Sequence, residues 1–331
     1  MDWFEQITGF AERDYETTQS LLRVDGEHLI SSHSARRWGI GRFETSSLAK
    51  LREEVGSISH GEGRRTTFRV MTGDAHALHC DPGNARALFQ VASQFNALEM
   101  VAPTVTPEHG VSRYAGDPTQ GPACAIAAGA ATIWRNYLIP LSGEIGQRAD
   151  RQVDTLSELG SALGNKGGEI WQMRNGYALC TESGLERVDR QLDQADSNSR
   201  EKLMGLLQIA VHSDVEVTVA KSPVTVSQAF CSALPCSYSS IPKNRWAQFA
   251  RFILNAAYEA TLLAGVLNMR RTGCSVVYLT RLGGGAFGND DAWIFESIKR
   301  ALRMHAYCGL DVRLVSHRHV LKEYQILESL D

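Results

Sequence analysis

Residues 279–293 read LTRLGGGAFGNDDAW, with glycines at 283, 284, 285 and 288 between an apolar run and a helical pattern. Glycine adopts positive φ and lets a ligand approach the backbone closely. Bare N–H groups beside a helix N-terminus attract anions, most often phosphate. Gly283, Gly284, Gly285, Ala286, Phe287, Gly288 and Asn289 are therefore candidate ligand-binding residues. The loop lacks the GK[ST] ending of a P-loop, and no GxGxxG follows a first strand, so neither ATP hydrolysis of that type nor a Rossmann site is expected. Asp290 and Asp291 stand directly behind the loop. Acids there suit acid–base chemistry, and they also suit a helix N-terminus with no catalytic role.

A second stretch, DPTQGPACAIAAG, ends a long Pro/Gly-rich loop and opens a small-residue helix, with Pro122 in the first turn. Thr119, Gln120 and Gly121 make it a second loop-to-helix junction, and two such junctions on one sheet could grip a diphosphate from both sides. Two more carboxylates lie close in sequence to these elements. Asp117 precedes the junction, where it could also cap a turn. Glu99 follows Asn96 in FNALEM, where it could also be a salt-bridge partner.

These residues need a scaffold. Residues 1–62 read as mostly helical and polar, as in FAERDYETTQSLLRV and SLAKLREEV, with a polar break at GEGRR. TFRVMTGDA carries a short strand ending at Gly73. ALFQVASQFNALEM reads as a buried strand, and ACAIAAGAATIWRNYL as a helix against which something packs closely. In the polar stretch 141–200, IWQMRNGYALC shows the Asn-Gly signal of a type I′ hairpin. PVTVSQAFCSALP is a strand, and Pro242 to Arg271 repeats apolar residues at three and four, which predicts a long helix closed by Gly273. CSVVYLTRL, DAWIFESIKRALRMHAYCG and LDVRLVSH then read strand, helix, strand. The alternation argues an α/β fold with a mixed, largely parallel central sheet.

Composition sets the outer limits. The 331 residues are 43% hydrophobic and 21% charged, with a formal net charge of −3. That balance carries no footprint for nucleic acid, no apolar run suggests a membrane partner, and the acidic start does not have a signal-peptide layout. Seven cysteines without a CxxC predict reduced thiols in a cytoplasmic protein. His317 and His319 are the only tight histidine pair, so neither a metal nor another cofactor is expected.

Taken in order, the pieces resemble the macrodomain superfamily of ADP-ribose binders over about residues 66 to 330. Gly73-Asp74-Ala75 looks like the element whose acid holds the adenine amine. Asn96 looks like the asparagine near the distal ribose, and the stretch from Gln120 to Ile126 like the first glycine-rich loop. Leu282 to Gly288 looks like the second, phosphate-gripping loop, and LDVRLVSHRHVLKEYQIL like the closing strand and helix. FQVASQFNALEM, TPEHGVSRYAGDPTQGPACAIA and LTRLGGGAFGNDDAW are more closely similar to the divergent MavL-like branch of arginine-specific ADP-ribosylhydrolases. Departures from ordinary macrodomains are Gln-Gly-Pro in the first loop, Gln94-Phe95-Asn96 for an asparagine pair, about sixty extra residues near 141–200, and the N-terminal extension.

The resemblance implies a three-layer α/β/α domain over 63–331, an N-terminal helical segment over 1–62 packed on it, and a monomer acting on ADP-ribosylated protein. It also implies hydrolysis of the N-glycosidic bond between ribose and arginine through an oxocarbenium-like transition state. Carboxylates suit both the cationic guanidine and the attacking water. Asp290, Asp291, Asp117 and Glu99 are the candidate catalytic acids, and Asp74, Ala75, Asn96, Thr119, Gln120 and Gly121 join the second loop as ligand-binding candidates. A non-catalytic ADP-ribose reader and a hydrolase of an NAD-derived metabolite are the competing functions.

Overall fold

The computed structural model describes residues 1–56 and 63–329. The GEGRR break begins at residues 61 and 62, so the expected boundary at 62–63 falls at the edge of what lies outside the described residues. Among the described residues the central sheet has seven strands: β1 (Arg42–Ser47), β2 (Thr67–Thr72), β3 (Leu88–Ala92), β4 (Gln208–Glu216), β5 (Thr225–Cys231), β6 (Val276–Leu279) and β7 (Asp311–Ser316). Their spatial order is β1-β4-β5-β3-β6-β7-β2. The five from β5 to β2 are parallel, and β4 and β1 continue the sheet antiparallel. The helices that matter below are α1 (Leu48–Val55), α2 (Ala75–Cys80), α3 (Gln120–Ala127), α4 (Gly129–Tyr137), α5 (Glu182–Gln194), α6 (Lys243–Thr272) and α7 (Asp291–Met304).

Alternation along the strands builds two cores. Leu88, Ala229, Val277 and Val312 pack with α1, α5, α6 and α7 on one face. Phe89, Val226 and Tyr278, with Val91 and Phe230, pack toward α3 and α4 on the other. Strands buried on both faces need helices on both sides, and the result is the expected mixed α/β/α fold. Helix α6 has the length and hydropathy of a membrane span, but 83% of its apolar window is buried inside the protein. Gly273 closes it in the left-handed region at φ 79°, donating to the Met269 carbonyl as a C′ glycine should.

Three local expectations change. The N-terminal segment is not mostly helical: after helices Trp3–Thr8 and Tyr15–Ser20 it forms an antiparallel sheet of Leu22–Asp25, His28–Ser31 and Ser34–Gly39, then supplies β1. The cause is local, because Asp25 pairs with His28 across Gly26-Glu27, and Gly26 takes φ 60° at the first position of a two-residue turn. The expected single helix after Gln120 is two. It breaks at Ala128 (φ −103°, ψ 53°), where Thr218 inserts, donating its amide to the Ala127 carbonyl and accepting from Gly129 N at its hydroxyl. The expected close packing on this stretch is found at Gly129, beneath Trp3 and Ile7. Finally, β3 stops at Ala92, and the rest of ALFQVASQFNALEM is a tight turn with Ala97 at φ 57°.

Candidate active site

A cavity of about 490 Å³ runs along the C-terminal ends of the parallel strands. Its lining enters from every one of them: Gly73 and Asp74 after β2, His317 after β7, Thr280 and Arg281 after β6, Ser93 after β3 and Ala233 after β5. This is where parallel α/β sheets place ligands, because every strand-to-helix loop opens on the same edge.

The loop between β6 and α7 is held by its own hydrogen bonds. Gly284 N donates to the Arg281 carbonyl, Gly288 N to Gly285 and Asn289 N to Gly283. The Asn289 side chain, buried, donates to the Leu234 carbonyl at 2.8 Å and pins the loop to the segment after β5. Gly283 sits at φ 74°, with Ala233 Cβ 2.5 Å and Asn289 Nδ2 2.6 Å from where its own Cβ would lie. Among the described residues, the amides of Gly283, Gly285, Ala286 and Phe287 have no acceptor, and these four line the cavity. Gly284, Gly288 and Asn289 do not line it, and their amides are already engaged. The seven-residue candidate thus divides into four cavity-facing residues and three that brace them.

The first junction also lines the cavity, through Thr119, Gln120 and Gly121. Gln120 ties it to the sheet, its Oε1 accepting from Ala92 N at 2.9 Å and its Nε2 donating to the Gln90 carbonyl at 2.8 Å. Asp117 lines the cavity, half-buried, and accepts from Thr119 N at 2.9 Å. Glu99 is 3% exposed and also lines the cavity. Its amide donates to Tyr114 Oη at 3.0 Å, while its side-chain Oε1 is buried without a partner. Burial pushes this carboxyl well above the usual range, the buried Arg135 guanidinium opposes the rise, and the charge of Asp117 adds to it. Tyr114 is a buried post under Glu99.

The other candidates separate. Asp74 caps α2 by accepting from Ala77 N at 2.8 Å, and it and Ala75 line the cavity; His317 lies 3.8 Å from its second oxygen. Asp290 and Asp291 do not line the cavity. Asp290 is the N-cap of α7, bonded to Ala292 N and paired with Lys243 at 3.1 Å, and these hold its carboxyl below the usual range. Asp291 pairs with Arg281 at 2.5 Å. Capping accounts for Asp290, while Asp291 stands in the first turn, where an acid suits the helix dipole. Asn96 is fully buried outside the cavity, donating to Gln152 Oε1 and accepting from Leu98 N. It shapes the turn that presents Glu99.

Several lining residues escaped the sequence reading. Tyr177, from the Asn175-Gly176 hairpin, makes a cluster with Tyr238 and Phe287 at centroid separations of 5.1 to 5.6 Å. Its hydroxyl donates to the Met100 carbonyl at 2.6 Å, and Met100 N donates to Gln94 Oε1. Toward Asp74, Phe89 stacks between His79 and Tyr278 at 3.9 and 4.5 Å. The hairpin itself was legible from Asn-Gly, but nothing local marks the return of Gly176, 81 residues along the chain, to the Phe95 amide. Among the described residues no cluster of three metal-ligating side chains occurs.

No protein-family model matches the chain, and no curated protein is similar to it in sequence. Solved structures do match. A poly(ADP-ribose) glycohydrolase from Thermomonospora curvata aligns over 98% of this chain and 96% of its own at 14% identity, with a TM-score of 0.50. The same enzyme bound to the inhibitor ADP-HPD gives 13% identity over 98% and 95%, with a TM-score of 0.47. The Deinococcus radiodurans glycohydrolase in complex with ADP-ribose gives 11% over 86% and 91%, at 0.44. The first of these similarities identifies the fold as macrodomain-like.

Proposed function

We propose that this protein is an ADP-ribosylhydrolase that releases mono-ADP-ribose from arginine side chains of proteins. The observation that carries the reading is one cavity lined both by four unengaged loop amides and by a buried, unpartnered carboxyl, Glu99. The amides of Gly283, Gly285, Ala286 and Phe287 suit a diphosphate. The stacked Phe89–Tyr278 end with Asp74 suits adenine, and Glu99 and Asp117 line the same cavity, Glu99 against Gly121.

In the reaction, water attacks the ribose C1″ as the bond from C1″ to the guanidine nitrogen breaks, the electron pair leaving with nitrogen. Glu99 takes the proton lost by water and returns it to the departing guanidine. Asp117 holds the guanidinium, and the rings of Tyr177, Tyr238 and Phe287 give the cation an aromatic wall. A carboxyl raised by burial holds a proton more firmly than an exposed one, which suits a group that takes and returns a proton. The same raised carboxyl could instead donate a proton to an oxygen leaving group, which is the second reading. We place it in a reducing compartment such as the cytoplasm, a reading that rests on seven cysteines without a CxxC.

The test is calorimetry with ADP-ribose followed by release assays on arginine-, serine- and glutamate-modified proteins and on poly(ADP-ribose). Binding with release from arginine alone supports the proposal. Release from serine, glutamate or the polymer transfers the assignment to oxygen-linked substrates, and binding without release makes the protein a reader. Turnover of free NAD-derived compounds only would make it a metabolite hydrolase.

A further inference from the structure

Arg281 belongs to none of the roles above, yet it lines the cavity beside the amide-bearing loop. Its Nε is buried and has no partner. One terminal nitrogen, Nη2, is held by Asp291 Oδ1 at 2.5 Å, with side-chain exposures of 30% and 56%. The backbone between them folds tightly: Gly284 N bonds the Arg281 carbonyl, and a Cβ on Gly284 would stand 3.3 Å from Arg281 Nη2. A guanidinium carries five donors and pairs well with phosphate oxygens, so an ion pair through one nitrogen leaves most of its capacity unused. An unsatisfied buried N–H is costly, and an arriving anion would satisfy it.

We infer that Arg281 is the cationic partner of the ligand's diphosphate and that Asp291 is its competing counter-ion in the empty site. The inference rests on reading the cavity as an ADP-ribose site. The loop amides surround the diphosphate, and Arg281 Nε meets one of its oxygens. Asp291 keeps the guanidinium neutralised until the ligand arrives, so its charge opposes binding. Asp291 thus acts on affinity through Arg281 and takes no part in bond cleavage.

The experiment is calorimetric titration of wild type, Arg281→Met and Asp291→Asn with ADP-ribose and, separately, with adenosine, each variant first checked for a melting transition like that of wild type. Arg281→Met should weaken ADP-ribose binding about 10- to 100-fold, the loss expected for a charge-assisted contact, and leave adenosine unchanged. Asp291→Asn should tighten ADP-ribose several-fold, again with adenosine unchanged. Wild-type affinity in Arg281→Met overturns the inference. Weakened binding in Asp291→Asn also overturns it, since the acid would then be orienting Arg281 rather than competing for it. Failure of wild type to bind either compound instead removes the site reading itself, and the inference with it.

Discussion

Glu99 and Gly121 occupy adjoining space so fully that a Cβ on Gly121 would overlap Glu99 Oε2 and the Ala92 carbonyl. The first junction is glycine at this point because the buried carboxyl lies directly against its backbone. Gly121→Ala should therefore displace Glu99 or the junction. The expected loss is about 1–3 kcal/mol of stability, as for other overpacked sites, with turnover falling more than ADP-ribose affinity. Thermal melts beside kinetic and calorimetric data would check it; an unchanged kcat contradicts the packing argument.

Glu99→Gln should lower kcat about 10²- to 10⁴-fold while ADP-ribose still binds. Because burial raises the Glu99 carboxyl above its ordinary 4.5, the wild-type rate should climb with pH along a limb lying above that value. The unfolded chain ionises Glu99 first, so folding is disfavoured progressively as pH rises from the unfolded value through the folded one. Glu99→Gln should consequently raise the melting temperature at pH 8 more than at pH 4. Equal shifts at both pH values would show that Glu99 is not held neutral.

Asp117→Asn keeps the hydrogen bond to Thr119 N within reach of an amide oxygen but removes the charge. The expected result is weaker binding of arginine-linked substrate, read as a higher KM, with ADP-ribose affinity changed less than about threefold, since free ADP-ribose carries no guanidinium. A parallel fall in ADP-ribose affinity would assign Asp117 to the nucleotide instead.

Asp290→Ala serves as the contrast. It removes an N-cap and a partly exposed pair with Lys243, so stability should fall by about 1 kcal/mol. Turnover per folded molecule should stay within about twofold of wild type. A loss of a hundredfold or more would return Asp290 to the reaction.

Much of this site is legible where the physics is local. Four glycines between strand and helix mark a loop with bare amides, and Gly283, Gly285, Ala286 and Phe287 do face the cavity. Asp290 and Asp291 were ambiguous because capping and catalysis select the same residues at the same positions. Tyr177 and Gln94 were illegible as site residues, since their meeting depends on a hairpin docking across the sheet edge. The N-terminal strands were hidden by polar residues and read as helix, although Asp25-Gly26 stands at the turn that joins two of them.

The cavity wall is drawn from residues as far apart in the chain as Gly73 and His317. A bound ligand therefore works as a removable cross-link between the first and last parallel strands, although no covalent bond joins them. At a free concentration a hundred times its Kd it would add about 2.7 kcal/mol against unfolding. Protection from heat or protease would then report occupancy even where no turnover can be seen, and a chain cut anywhere between these strands would lose that protection before it lost its helices.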